Sequence, residues 1–144
     1  QLFETYSGII SNEDYKNFIL PLSTKILLEA RESGVPTIFF PKNFNEGLKY
    51  INKEMCDYVS VDYDISLEYA RNLLDSEVGI QGNMDPKIFY QEIDEIESYL
   101  KSLIGFGSKN TDWIFNLGHG FRPDIDHIKV KYVVEWIKNA NWKR

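Results

Sequence analysis

Five short apolar runs of β character alternate along the chain with longer stretches of helical period, and no two of the runs are joined by a tight hairpin turn. The runs are Gln1 to Phe3, which reads as the tail of a strand, Thr37 to Phe40, Tyr58 to Val61, Val78 to Gln81, and a run that opens at Trp113 and ends in Asn116. Strands so short and continuously apolar are buried on both faces, which requires a parallel sheet with helices packed over it. The expected class is therefore α/β, with about five βα units. A closed (β/α) barrel has eight. Either the sheet is open and doubly wound, or the chain is the back portion of a barrel. An opening inside a strand favours the second.

Helix starts and stops are marked by short polar signals. Ser11 with Asp14 three residues on reads as a capping pair. The helix after it is expected to carry Tyr15, Phe18, Ile19, Leu22, Ile26, Leu27 and Ala30 on one stripe and to stop at Gly34, with Pro21 kinking or splitting it. A second helix is expected over about 44 to 55, and Ser66 should cap a short one through Leu74. Gly82-Asn83 reads as the stop of the fourth strand. Asp85 and Pro86 read as N-cap and first helical residue, ahead of a clearer helix over 93 to 104. Gly105-Phe106-Gly107 follows a helix and precedes a strand, the wrong order for a dinucleotide loop, and reads as a C-cap. Asp126 caps a last helix ending near Ala140, on which Tyr132, Val133, Trp136 and Ile137 have packing spacing. Trp142-Lys143-Arg144 reads as a frayed end.

A length of 144 residues, 43% hydrophobic and 26% charged, suits one globular domain over 1–144. No stretch reaches the roughly 18 consecutive apolar residues of a membrane span, and no signal peptide opens the chain. With Gln1 rather than Met in first place, the true start is expected upstream. A net charge of -6 argues against nucleic acid as the main partner and gives an anionic ligand no general attraction. Cations near the expected site are few. Cys56, the single cysteine, excludes an internal disulfide and fits a reducing, cytoplasmic setting.

In α/β folds of either topology, ligands sit where the strands end. The residues leaving the strands at their C-terminal ends are Glu4 and Thr5, Lys42, Asp62, Gln81 with Asn83, and Asn116 with His119. The opposite connections, such as Gly34-Val35-Pro36 and Cys56-Asp57, carry less chemistry. Thr5 can give its hydroxyl to a ligand carboxylate, or end its strand by bonding its own backbone. Gln81 and Asn83 can reach a pocket or shape the turn, with Gly82 taking a backbone angle others avoid. Asp62 reads as an acid or base, or as a buried carboxylate accepting loop N–H groups. Arg122 offers a forked donor beside Gly120, unless solvent holds it, and Lys42 is an isolated cation. His127 lies eight residues beyond His119 and Cys56 near the other face, so no metal-ligand spacing emerges.

Three blocks resemble the uroporphyrinogen decarboxylase family, in the same order and with similar spacing. They are Gln1-Leu2-Phe3-Glu4-Thr5-Tyr6-Ser7-Gly8, Gln81-Gly82-Asn83-Met84-Asp85-Pro86 and Asn116-Leu117-Gly118-His119-Gly120. Ile38-Phe39-Phe40 and Val59-Ser60-Val61-Asp62 look like two further strands of that family. The resemblance covers the whole chain but only the C-terminal part of the family's usual length. It implies the C-terminal portion of a TIM-type (β/α)8 barrel, usually a homodimer, acting in haem and tetrapyrrole synthesis. The implied reaction removes carbon dioxide from the four acetate side chains of uroporphyrinogen, giving coproporphyrinogen, without metal or organic cofactor.

Two substrate-binding positions carry over: Thr5, as the hydroxyl residue of the first block, and His119, as the histidine of the last. The family's pyrrole-gathering aspartate, its arginine segment and a binding tyrosine belong to the preceding half. No catalytic residue is therefore assigned in this chain, and the chain alone is expected to be inactive. Two other readings stand beside this one. A corrinoid-related methyltransferase of the same barrel superfamily would need a metal held by His and Cys, and only one Cys is present. A non-catalytic barrel fragment would only bind or self-associate.

Overall fold

The computed structural model describes residues 1–142. Five strands, β1 (Leu2–Glu4), β2 (Ile38–Pro41), β3 (Tyr58–Ser60), β4 (Gly79–Met84) and β5 (Trp113–Leu117), form one sheet in the order β1-β2-β3-β4-β5, with every neighbouring pair parallel. Spatial order follows chain order, so each crossover advances one strand in the same direction. That is the winding of a (β/α) barrel; a doubly wound sheet reverses direction at a switch point. The fold is thus α/β with five parallel strands, as expected of part of a TIM-type barrel.

The register aligns Leu2, Phe39, Val59, Ile80 and Trp113 in one row across the sheet. Phe39, Val59 and Ile80 are fully buried in the core, which the covering helices complete. Those helices are α1 (Asn12–Asp14), α2 (Leu20–Arg31), α3 (Leu67–Leu73), α4 (Ile93–Ser102), α5 (Ile104–Lys109) and α6 (His127–Asn139). They contribute Leu27, Ala70, Ile96, Leu100 and Val133 to the core, the larger of these worth about 1.5–3 kcal/mol each. On the other face the sheet is concave. Gln81 on β4 donates from Nε2 to Ser60 Oγ at 3.1 Å and to Gln1 Oε1 at 3.3 Å, the latter just ahead of β1. Side chains from strands that are not neighbours meet only where a sheet curls toward closure.

Several local expectations hold. Ser11 Oγ accepts the Asp14 N–H at 3.0 Å, Ser66 Oγ the Tyr69 N–H at 3.2 Å, and Asp126 Oδ1 the Ile128 N–H at 2.8 Å. Gly34 ends its helix at φ 74°. The first helix is split just ahead of Pro21, one of the two outcomes expected of the proline. A π-helical turn, Tyr15–Ile19, lies between α1 and α2, and the Leu20 N–H reaches back to Tyr15 O. The widened turn accommodates the proline ring and its missing donor in the first turn of α2. The extra residue also turns the helix relative to the 3.6 period, so the single expected stripe divides. Tyr15, Leu20, Ser23 and Leu27 are buried, whereas Phe18, Leu22 and Ile26 are 67%, 63% and 54% exposed.

Four further boundaries differ from the sequence reading. The segment after β2 forms only a 3-10 helix, Asn45–Tyr50, not a helix to residue 55. Gly47 lies under the Phe44 ring, and Asn52 Oδ1 takes the Glu54 N–H at 3.1 Å to start a turn. Gly82-Asn83 does not stop β4, which runs on to Met84. Gly82 holds φ 134°, and a Cβ there would stand 2.8 Å from Val61 O, so glycine lets β4 continue against the chain leaving β3. Gly105 to Gly107 lie inside α5 rather than capping its predecessor. Trp142 is docked rather than frayed: its Nε1 donates to Ile137 O at 3.1 Å and its ring stands edge-on to Trp113 and Trp136. Lys143 and Arg144 lie outside the described residues. Among the described residues no helix is long and apolar enough to cross a membrane.

Candidate functional site

At the C-terminal strand ends, a cavity lies on either side of the loop after β5. An inner trough of about 250 Å³ lies on the concave face, among Phe3, Phe40, Ser60 and Asn116. A rim pocket of about 300 Å³ lies beyond the loop, lined by Lys42, Tyr63, Lys87, Tyr90 and Arg122 among others. His119, Gly120 and Phe121 border both.

His119 is exposed at this divide, its Nδ1 3.5 Å from the Gly120 carbonyl and with no other polar partner among the described residues. The backbone under it is held tightly. The Gly118 N–H donates to Met84 O at 2.9 Å, and Asn116 Oδ1 accepts the Leu117 N–H at 2.8 Å. A Cβ on Gly118 would lie 2.4 Å from Tyr63 N and 2.8 Å from Asp62 C. Glycine is required there by close approach of two backbones, which fixes where the imidazole starts.

Thr5 follows β1 and is exposed, outside both cavities. Its loop is nevertheless anchored. Glu4 Oε1 accepts the Tyr6 N–H at 3.0 Å, Glu4 O accepts the Lys42 N–H at 2.9 Å, and the buried Ser7 hydroxyl donates to Lys42 O. Burial, reinforced by the Glu4 carboxylate, pushes the Tyr15 phenol behind this loop well above its ordinary range.

Asp62 is buried with both oxygens engaged. Oδ2 accepts the Asn43 N–H at 2.6 Å and Oδ1 the Asp64 N–H at 3.1 Å, so it ties the loops after β2 and β3. Asn83 donates from Nδ2 to Asp62 O at 2.8 Å and to Ile65 O, holding the same loop from β4, and it borders a separate cleft near Tyr99. Gln81 is committed to Ser60 and Gln1 on the concave face. The structure thus joins Asp62 and Asn83 in one bonded cluster, puts Arg122 and His119 on the rim pocket, and leaves Thr5 at the far edge of the sheet.

Lys87, Tyr63 and Tyr90 did not stand out in the sequence, and the scarcity of cations expected near the site is incorrect. Lys42, Lys87 and Arg122 all reach the rim pocket, from the loops after β2, β4 and β5. Lys87 was legible in principle, two residues beyond the Asp85 cap that closes β4. Tyr90 donates to Asp124 Oδ1 at 2.9 Å; desolvation and Asp124 raise its phenol, against the opposing effect of Arg122. Cys56 precedes β3 at the opposite end of the sheet, and burial pushes its thiol up to about 12. It therefore forms no ligand pair with His119, and no group of three or more His, Cys, Asp or Glu among the described residues is placed to hold a metal.

Comparison with known proteins agrees with this geometry. The family model for uroporphyrinogen decarboxylase (URO-D) matches residues 1–140. A uroporphyrinogen decarboxylase of Colwellia psychrerythraea is 37% identical over 139 residues, covering 93% of this chain and 39% of the relative. One from Vesicomyosocius okutanii is 33% identical over 138 residues, covering 94% and 40%. One from Geobacter sulfurreducens is 30% identical over 143 residues, covering 99% and 42%. The chain spans about two fifths of the length of these curated relatives. With the family model running along nearly all of the barrel-type sheet and its rim, the chain belongs to the uroporphyrinogen decarboxylase family.

Proposed function

We propose that the protein to which these residues belong removes carbon dioxide from the four acetate side chains of uroporphyrinogen to give coproporphyrinogen, as a cytoplasmic homodimer without metal or organic cofactor. This chain supplies one part of the site. The observation that carries the reading is the family match over residues 1–140; Gln1 and Phe3, Gln81, and Asn116 with His119, one group from each of the three resembling blocks, meet on or beside the concave face.

Decarboxylation of this kind protonates a pyrrole carbon so that the ring accepts the electron pair left by the departing carbon dioxide, and it gains from keeping the carboxylate poorly solvated. In this reading His119 contacts a substrate carboxylate and Thr5 gives its hydroxyl to another; both position substrate. Phe3 and Phe40, ring centroids 6.0 Å apart, offer the macrocycle an apolar floor. Asp62 and Asn83 hold the loops beneath: both Asp62 oxygens and the Asn83 amide nitrogen bond to backbone, a structural rather than an acid–base role.

The test exchanges the matching segment of a curated relative for this chain and follows coproporphyrinogen formation chromatographically. The chimera is expected to be active and to lose most of that activity with His119→Ala, while the 144-residue chain alone gives no turnover. A folded chimera without activity refutes the assignment.

A further inference from the structure

We infer that the rim pocket beside His119 is a second carboxylate subsite, in which Lys42, Lys87 and Arg122 hold a carboxylate arm of the ligand whose ring lies over the trough. The inference deepens the decarboxylase reading and rests on it for the identity of the ligand. Its first support is the distribution of paired and unpaired charge. At the N-terminal end of the sheet, Asp57 meets Arg31 and Lys53 at 2.9 Å each, and Arg71 meets Asp112 at 3.1 Å. At the C-terminal end, Lys42, Lys87 and Arg122 form no ion pair among the described residues, although the chain carries a net charge of -6.

Among the described residues none of the acids nearby forms an ion pair with these three cations, and each accepts a hydrogen bond from a neutral donor, although Asp85 itself lines the pocket. Asp85 Oδ1 caps the Lys87 N–H at 2.9 Å, Asp124 takes the Tyr90 hydroxyl, and Asp62 takes two loop N–H groups. Pro86, Pro123 and Ile125 give the pocket apolar walls, which strengthen attraction between its cations and an entering anion. A volume of about 300 Å³ suits short carboxylate arms rather than a macrocycle. Because the pocket shares His119, Gly120 and Phe121 with the trough, a ring over the trough can send an arm past His119 into it. Arg122 supplies a planar fork for two carboxylate oxygens, and the lysines supply point charge.

Titration of the 144-residue chain with uroporphyrin, which carries eight carboxylates, tests this by porphyrin fluorescence, with coproporphyrin and inorganic phosphate as comparison ligands. Lys87→Ala and Arg122→Ala should each weaken uroporphyrin binding, and the double variant should weaken it roughly tenfold, consistent with modest, partly solvated charge pairs. The loss should be smaller for coproporphyrin, and phosphate should not compete at matched concentration. Lys25→Ala, the same charge change on the outer helix α2, should have no effect, and circular dichroism should show all variants folded. Unchanged affinity in the double variant, an equal loss in Lys25→Ala, displacement by phosphate, or no uroporphyrin binding by the wild type overturns the subsite. Binding that depends on Lys87 and Arg122 together with an inactive chimera would refute the decarboxylase reading and leave the subsite standing; an active chimera with binding indifferent to both residues would overturn the subsite alone.

Discussion

Gly118→Ala places one methyl group where two backbones touch, and its consequences can be worked from the geometry. The new Cβ would stand 2.4 Å from Tyr63 N and 2.8 Å from Asp62 C, where ordinary contacts begin at 3.4 Å, so something must move by about 1.0 Å. Both neighbours are main-chain atoms, and no flexible side chain can yield in their place. Overpacking of this kind costs about 1–3 kcal/mol, or roughly 3–12 °C in the melting temperature of a domain this size. The displacement also strains the 2.9 Å bond from the Gly118 N–H to Met84 O and moves His119 away from the trough it borders. A shift of about 1 Å is enough to impair a positioned contact. Gly120→Ala is the matched control, because nothing lies within 4 Å of its Cβ position; a change of no more than about 0.5 kcal/mol is expected there. Thermal melting by circular dichroism and uroporphyrin titration should both separate the two variants. If Gly118→Ala melts and binds like Gly120→Ala, the close-approach argument is wrong.

Asp57 tests the opposite end of the sheet. Burial acts to raise its carboxyl, but the Thr37 N–H, Lys53, Arg31 and the Thr37 hydroxyl outweigh that and hold it well below the usual carboxylate range. A depressed folded value means the contribution is full above the unfolded pKa of about 3.9 and is lost as pH falls through the folded one. The melting-temperature gap between wild type and Asp57→Asn should therefore stay flat from about pH 8 to 5 and shrink below about pH 4; a gap that widens on acidification refutes the assignment. Asn83→Leu leaves Asp62 O and Ile65 O without their buried donor and should cost about 2–3 kcal/mol in urea unfolding; a loss below about 0.5 kcal/mol would mean that other donors replace the amide. The exposed Phe18, Leu22 and Ile26 ridge, together with the unpaired edges of β1 and β5, should drive the 144-residue chain to self-associate. Light scattering should show oligomers that Leu22→Lys reduces, and a monodisperse wild-type monomer would contradict this.

The alternation of elements was legible because it is encoded locally. The apolar runs at Ile38–Pro41 and Trp113–Leu117, the caps at Ser11, Ser66 and Asp126, and the stop at Gly34 each depend on residues within a turn of one another. The misreadings have equally local causes. Pro21 marks the split correctly, but the split takes the form of a π turn, whose shift in period sends Phe18, Leu22 and Ile26 outward. Gly82-Asn83 carries turn chemistry, but at this position the same properties serve close packing against Val61 and donation to loop carbonyls.

By itself the sequence determined the class of fold, the strand ends on which polar residues fall, and the family, because each depends on residue type in fixed order. Only the tertiary structure decided that the sheet winds in one direction and curls, bringing Gln81 to Gln1 across 80 residues of chain. Only it distinguished the polar residues bonded to backbone, Asp62 and Asn83, from those that line the cavities, His119 and Arg122. It also gathered Lys42, Lys87 and Arg122 from three separate loops into one pocket. The physical reason is the range of the interaction. Period and capping act within a few residues, whereas curvature and charge convergence are set by how non-adjacent strands pack, which local pattern does not specify.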